Sequence, residues 1–209
     1  MAMKYVIVGG GAQAKYVVDI LVNCYNLKVV GILDVEDNKE YHGTRIGGVE
    51  VLGYYKELIG DYSPDKFKAV ICHSDNKTKE MVYNELKKLG YDFPNVIHPN
   101  AYISKNAELG EGNIICSGVS VMPFARIGNC VIIHSNSVIE HDCVIDDFVN
   151  IAPSVVLAGY VKIGKRSYIF TNATVIPGVK IGRDVKVGAG SVVLEDVPDN
   201  VVVKGVPAR

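Results

Sequence analysis

From Ile103 to Val193 an aliphatic residue stands at every sixth position, sixteen times in one unbroken phase. The series is Ile103, Leu109, Ile115, Val121, Ile127, Ile133, Ile139, Ile145, Ile151, Leu157, Ile163, Ile169, Val175, Ile181, Val187 and Val193. Four residues after all but one of them, Leu109, comes a small or β-branched residue, as at Ala107, Val119, Ala125, Ser137, Cys143, Val161 and Ala173. A period of six fits neither the 3.6 of a helix nor the 2 of a simple strand. It is the repeat of a parallel β-helix, in which each hexapeptide makes one short strand and one corner. Three hexapeptides close a triangular coil, so each inward aliphatic stacks on its equivalent eighteen residues away. Sixteen registers make about five coils, a prism ~25 Å tall at the usual strand spacing.

Residues 1–97 follow a different rule. KYVIVGG is a buried strand ending in glycines, Val29 to Leu33 a second strand closing on Asp34, and Phe67 to Cys72 a third. Between them, Ala14 to Cys24 and Asn76 to Leu89 carry apolar residues at helical spacing. Strands alternating with helices indicate parallel βαβ units. Residues 35–50 are polar and glycine-rich and read as loop, with a short strand at Val49 to Leu52. The pattern changes at IHPNA, which divides the chain into an α/β half-Rossmann-like domain, 1–97, and an all-β parallel β-helix, 98–209.

Net charge is −1 with both signs interspersed, so neither nucleic acid nor an anionic membrane is an expected partner. No apolar run approaches the ~20 residues of a membrane span. The opening residues hold no secretory signal, and Met1-Ala2 reads as an addition ahead of the first strand. Five cysteines without a CxxC pair indicate reduced thiols and a cytoplasmic location.

Gly9-Gly10-Gly11-Ala12-Gln13-Ala14 fits G-x-G-x-x-A between a strand and a helix, with Asp34 twenty residues beyond Ala14. This is the dinucleotide fingerprint. The βαβ region is only one mononucleotide half long, which favours a nucleotide-sugar site over NAD. A glycine loop at a helix N-terminus cradles phosphate, and Asp34 is placed to meet a ribose or base.

The whole chain resembles the sugar acetyltransferases that join a small nucleotide-binding domain to a hexapeptide β-helix. These include the sialic acid O-acetyltransferase-like proteins and the N-acetyltransferases of nucleotide-linked 4-amino sugars in bacillosamine or perosamine biosynthesis. VIVGGGAQAK, NVIHPNA, SVIEHDCVIDDFVNIAPSVVLAGYVKIG, VIPGVKIG, VGAGSVV and GVPAR carry the resemblance. It implies a left-handed coil, a homotrimer and acetyl-CoA as cosubstrate. It makes His141 the catalytic base, Asp142 its acidic partner and Gly159 part of the CoA groove. The pantetheine arm is expected to pass Thr171 and Ala189. The family's second histidine, the thioester contact, is Asn150 here, whose amide can still donate to an oxygen. The substrate loop is Gly10, Gly11, Ala12 and Gln13 with Asp34 and Ser74; the family usually has histidine at Gln13 and glycine at Ser74.

The chemistry suits an imidazole, the side chain poised near neutral pH to take a proton from an attacking amine. Asp142 is adjacent to His141, so strand alternation points it away unless a corner or a neighbouring subunit intervenes. His134 and His141 are seven residues apart with no third histidine in the repeats, so no metal is expected. The reading is an acetyl-CoA-dependent N-acetyltransferase acting on a nucleotide-linked 4-amino sugar. A sialic acid or related O-acetyltransferase is the alternative enzyme, and a non-catalytic scaffold or nucleotide-sugar-binding protein the alternative class.

Overall fold

The computed structural model describes residues 3–209, so Met1 and Ala2 lie outside the described residues. The chain forms two compact units, one ending at Val96 and one running from Ile97 to Arg209.

The first unit is built on parallel strands β1 (Lys4–Val8), β2 (Val29–Asp34), β4 (Val49–Tyr54) and β5 (Phe67–Ile71). A two-residue strand, β3 (Arg45–Ile46), pairs antiparallel with β4, and the sheet order is β3-β4-β2-β1-β5. Val6, Ile7 and Val8 are fully buried, as expected of a central strand covered on both faces. The helices are α1 (Ala12–Val18), which widens into a π turn over Asp19–Cys24, α2 (Tyr55–Leu58) and α3 (Asn76–Lys88). The β3–β4 hairpin extends past the short strand expected at Val49 to Leu52. Helix α2 was not anticipated, because a single turn is too short to show a period.

Strand β1 lies between β2 and β5, so the chain leaves it to one side and returns on the other. Ligand crevices open at such a switch point, outside the carboxyl ends of the strands. Gly9 makes this crossing possible. Its φ is +124°, and a Cβ there would lie 2.3 Å from the carbonyl oxygen of Cys72. The Cys72 thiol donates to the Gly9 carbonyl at 3.1 Å, joining the ends of β1 and β5.

In the second unit three parallel sheets of two-residue strands wind around one apolar core. One has six strands, including Val138–Ile139 and Val156–Leu157; one has five, including Val144–Ile145 and Lys162–Ile163; one has seven, including Asn150–Ile151 and Tyr168–Ile169. Ladder partners are eighteen residues apart, as in Ile139↔Leu157 and Ile151↔Ile169. The inward aliphatics from Ile115 to Val193 are at most 3% exposed. Polar residues in the stack bond within it: Ser137 Oγ donates to Ala152 O at 2.9 Å and Ser167 Oγ to Gly182 O at 2.6 Å.

The corners have a rule of their own. From Gly112 to Gly190 every third residue after an inward aliphatic has positive φ, at fourteen consecutive corners. Asn136, Asp142, Asn172 and Asp184 take this conformation, as do Phe124, Phe148, Tyr160 and Arg166. Glycine, Asn and Asp enter the left-handed region most readily, and β-branched residues, which enter it worst, are absent from these fourteen positions.

Candidate active site

His141 and Asp142 form the corner between the strands Val138–Ile139 and Val144–Ile145. Asp142 has φ +58°, and its N–H donates to the carbonyl of Pro123 in the preceding coil at 3.2 Å. That turn removes the alternation which would have sent the two side chains to opposite faces. The carboxylate folds back instead, and Asp142 Oδ2 lies 2.9 Å from His141 Nδ1. An ionised carboxylate only accepts, so Nδ1 carries the proton and Nε2 keeps its lone pair for a substrate.

The next coil provides the floor and one wall. A Cβ on Gly159 would come within 2.6 Å of His141 Cε1 and 2.7 Å of Nε2, so the imidazole lies directly on the glycine. Tyr160 meets the ring edge-on, with centroids 5.1 Å apart and planes at 88°. The Tyr160 N–H donates to the His141 carbonyl at 3.1 Å, which fixes the two coils in register. The His141 side chain remains 49% exposed and that of Asp142 37%, so the dyad faces solvent. Two residues on, Cys143 points inward. Burial pushes its thiol up to about 11, and Sγ donates to Ala158 O at 3.1 Å, so it is not a competing nucleophile.

The other residues expected to meet CoA lie elsewhere on the protomer. Asn150 begins a strand of the seven-stranded sheet and is fully buried. Thr171 and Ala189 follow the strands Tyr168–Ile169 and Lys186–Val187 of that same sheet. They stack on one another, with Gly190 N donating to Thr171 O at 2.9 Å, and both are exposed. They share an edge of the prism, but a different edge from His141 and Gly159.

In the first unit Gly10, Gly11, Ala12, Gln13, Asp34 and Ser74 line one cleft at the ends of β1, β2 and β5. Asp34 is 8% exposed. Its carboxylate accepts from the N–H of Asn38 at 2.8 Å and, more distantly, of Glu36 at 3.4 Å. Much of its bonding capacity therefore shapes its own loop, which carries Glu36, Asn38 and Tyr41 into the cleft wall. His73 completes the wall: Nδ1 accepts from Asp75 N at 3.1 Å and Nε2 faces Glu36 Oε1 at 3.3 Å. Sequence reasoning missed these residues. The one available signal was the Asp34-x-x-x-Asn38 spacing of a side chain capping its own turn.

Known proteins share this architecture. The PglD N-terminal domain matches residues 4–86, and the bacterial transferase hexapeptide repeat matches 124–159 and 160–195. GDP-perosamine N-acetyltransferase of Escherichia coli O157:H7 is 31% identical over 173 residues, 80% of this chain and 77% of that protein. The structure of a GDP-perosamine N-acetyltransferase variant from Caulobacter crescentus, solved with CoA and GDP-perosamine, superposes with a TM-score of 0.91 at 34% identity. That match covers 100% of this chain and 97% of the other. The acetyltransferase domain of PglB from Neisseria gonorrhoeae FA1090, in complex with acetyl coenzyme A, has a TM-score of 0.91 at 29% identity, covering 100% and 99%. With these matches the hand of the coil is that of a left-handed parallel β-helix.

Proposed function

The chain belongs to the hexapeptide-repeat sugar acetyltransferases that include GDP-perosamine N-acetyltransferase, and on that footing we propose that it moves the acetyl group of acetyl-CoA onto the 4-amino group of a nucleotide-linked 4-amino sugar. The observation that carries the reading is the His141–Asp142 pair seated on Gly159. Nδ1 is held against the Asp142 carboxylate, which leaves the Nε2 lone pair for a substrate. In the reaction the sugar nitrogen attacks the thioester carbonyl, and His141 Nε2 takes the amine proton. The N–C bond forms, the C–S bond breaks, and the proton passes to the leaving thiolate. Asp142 holds the ring and offsets the charge of the imidazolium. Asn150 is buried too deeply in the protomer to be assigned the oxyanion contact.

A homotrimer supports this chemistry, because it lets the Thr171–Ala189 edge of one subunit face the His141 edge of the next and wall the pantetheine arm. The cleft of Gly10–Gln13, Asp34 and Ser74 is the proposed seat of the nucleotide. Among the described residues no helix is long and apolar enough to cross a membrane, and a cytoplasmic site accords with the supply of acetyl-CoA. The test is incubation with acetyl-CoA and a panel of UDP-, GDP- and dTDP-linked 4-amino sugars, read by mass spectrometry. One acetyl group on the amine is the expected product. Transfer to none of them, or only to a hydroxyl, would sink the proposal.

A further inference from the structure

The five-stranded face of the prism carries, in successive coils, the outward residues Glu108, Arg126, Val144, Lys162 and Lys180. Glu108 and Arg126 are ladder partners of opposite sign and form an ion pair at 3.7 Å. Lys162 and Lys180 are also ladder partners, directly opposite one another. Their backbones are one strand spacing apart, about 4.8 Å. Both are exposed, and among the described residues neither ammonium makes an ion pair. Like charges placed directly opposite on neighbouring strands destabilise a sheet. The fold therefore carries a small penalty here that it avoids two coils earlier.

Place gives the pair its meaning. Lys162 is the second residue after Tyr160, the wall of the His141 corner, and Lys180 lies one coil beyond. The charge of the prism is graded in the same direction. Residues 97–150 hold two basic and six acidic side chains, whereas residues 151–209 hold eight basic and four acidic. Three of the other six basic groups of residues 151–209 are engaged: Arg166 with Asp184, Arg183 with Asp199, and Lys165 over the Phe148 ring. The cleft of the first unit has no lysine or arginine among the residues lining it.

We propose that Lys162 and Lys180 together bind a phosphate group of a substrate that enters at the His141 corner. The proposal rests on the acyl-transfer reading, in which both substrates are polyanions: each has a diphosphate, and CoA has a further phosphomonoester. A lysine ammonium acts on phosphate as a flexible point charge with three donors. Two of them one coil apart converge on a single diphosphate, and the anion turns their repulsion into shared attraction.

Calorimetric titration of the wild-type and Lys162→Ser/Lys180→Ser proteins with CoA, pantetheine and GDP tests the site. Affinity for CoA or for GDP should fall roughly ten-fold or more, as expected when charge-assisted bonds are removed, and its dependence on salt should flatten. Loss for CoA alone assigns the lysines to the acetyl donor; loss for GDP alone assigns them to the nucleotide sugar. Pantetheine, which has no phosphate, should bind both proteins alike. The Lys162→Arg/Lys180→Arg variant should keep its affinity, and the serine variant should melt no lower than wild type. Unchanged affinity of the serine variant for both CoA and GDP overturns the proposal, as does failure of the wild type to bind either. A protein that binds CoA through these lysines yet acetylates no amino sugar would instead sink the transfer reading and leave the anion site standing.

Discussion

Gly159 lies under the imidazole of His141 so closely that any side chain there would displace it: an added Cβ would stand 2.7 Å from Nε2. Gly159 is eighteen residues beyond the histidine, one full coil, so the repeat itself sets the contact. Gly159→Ala should leave the melting temperature within a few degrees of wild type, because what must move is the tip of a half-exposed ring. Displacing a catalytic group by about 1 Å costs on the order of 10² in rate, and turnover should fall by that much. Wild-type turnover in this variant would show that the base is not His141 in the position described.

His141→Ala should lose roughly 10²–10⁴ in turnover, the usual cost of removing a general base. The rise of kcat/KM with pH that an imidazole base produces should disappear with it. Asp142→Asn is the cleaner probe of the partner, because Asn also tolerates the left-handed backbone that position 142 requires (φ +58°). It should lose less than His141→Ala and keep its fold. An unchanged pH–rate profile in His141→Ala would move the proton transfer to another group.

Cys143 should be replaceable by serine. Ser137 and Ser167 occupy the equivalent inward position and make the same bond to a carbonyl fifteen residues ahead. With burial holding the Cys143 thiol up at about 11, alkylating reagents at neutral pH should reach the exposed Cys24 first. Rapid inactivation through modification of Cys143, found by peptide mapping, would contradict the buried placement.

Acid should weaken the first unit through Asp75. Burial by itself would raise this carboxyl, but the hydrogen bonds from Thr78, its N–H at 2.7 Å among them, together with the nearby His73 and Lys77 outweigh it and hold the group below its ordinary range. A lowered carboxylate contributes stability above its unfolded value, near 4, and loses it as pH falls through the folded one. Asp75→Ala should cost about 1 kcal/mol at neutral pH, the usual worth of such a cap. Urea titrations should show the difference from wild type shrinking as pH drops below about 4; a constant difference would argue against the cap.

Light scattering of a dilute sample should give three times the 22.7 kDa of one chain. Val138, Val156 and Val192 are half-exposed or exposed on the six-stranded face, and such apolar residues suit subunit contact. A stable, active monomer would show that the donor groove is complete within one subunit.

The β-helix was legible because its repeat is written one residue at a time. Ile139, Ile145 and Ile151 each fill an identical environment, so local pattern and global fold coincide. The glycine loop was legible for a similar reason: Gly9 stands where only a residue without a Cβ lets β1 approach Cys72. What escaped was the corner rule. Fourteen residues share a left-handed backbone, yet Phe124, Cys130, Phe148, Tyr160 and Arg166 among them hide the Gly, Asn and Asp signal. In the cleft, Glu36 and His73 are thirty-seven residues apart and meet only because β2 and β5 flank β1.

Sequence alone determined the β-helix and the one-coil spacing that stacks His141 on Gly159, since both depend on a count of six or eighteen. The tertiary structure decided the rest. It turned Asp142 back onto Nδ1 through a backbone angle that no composition rule assigns to that residue. It buried Asn150 on a separate face, and it put Thr171 and Ala189 on a different edge from the base. Period alone says which residues share an edge; side-chain direction and burial depend on how the coil closes around them, which is a property of contacts eighteen residues apart and of neighbouring coils.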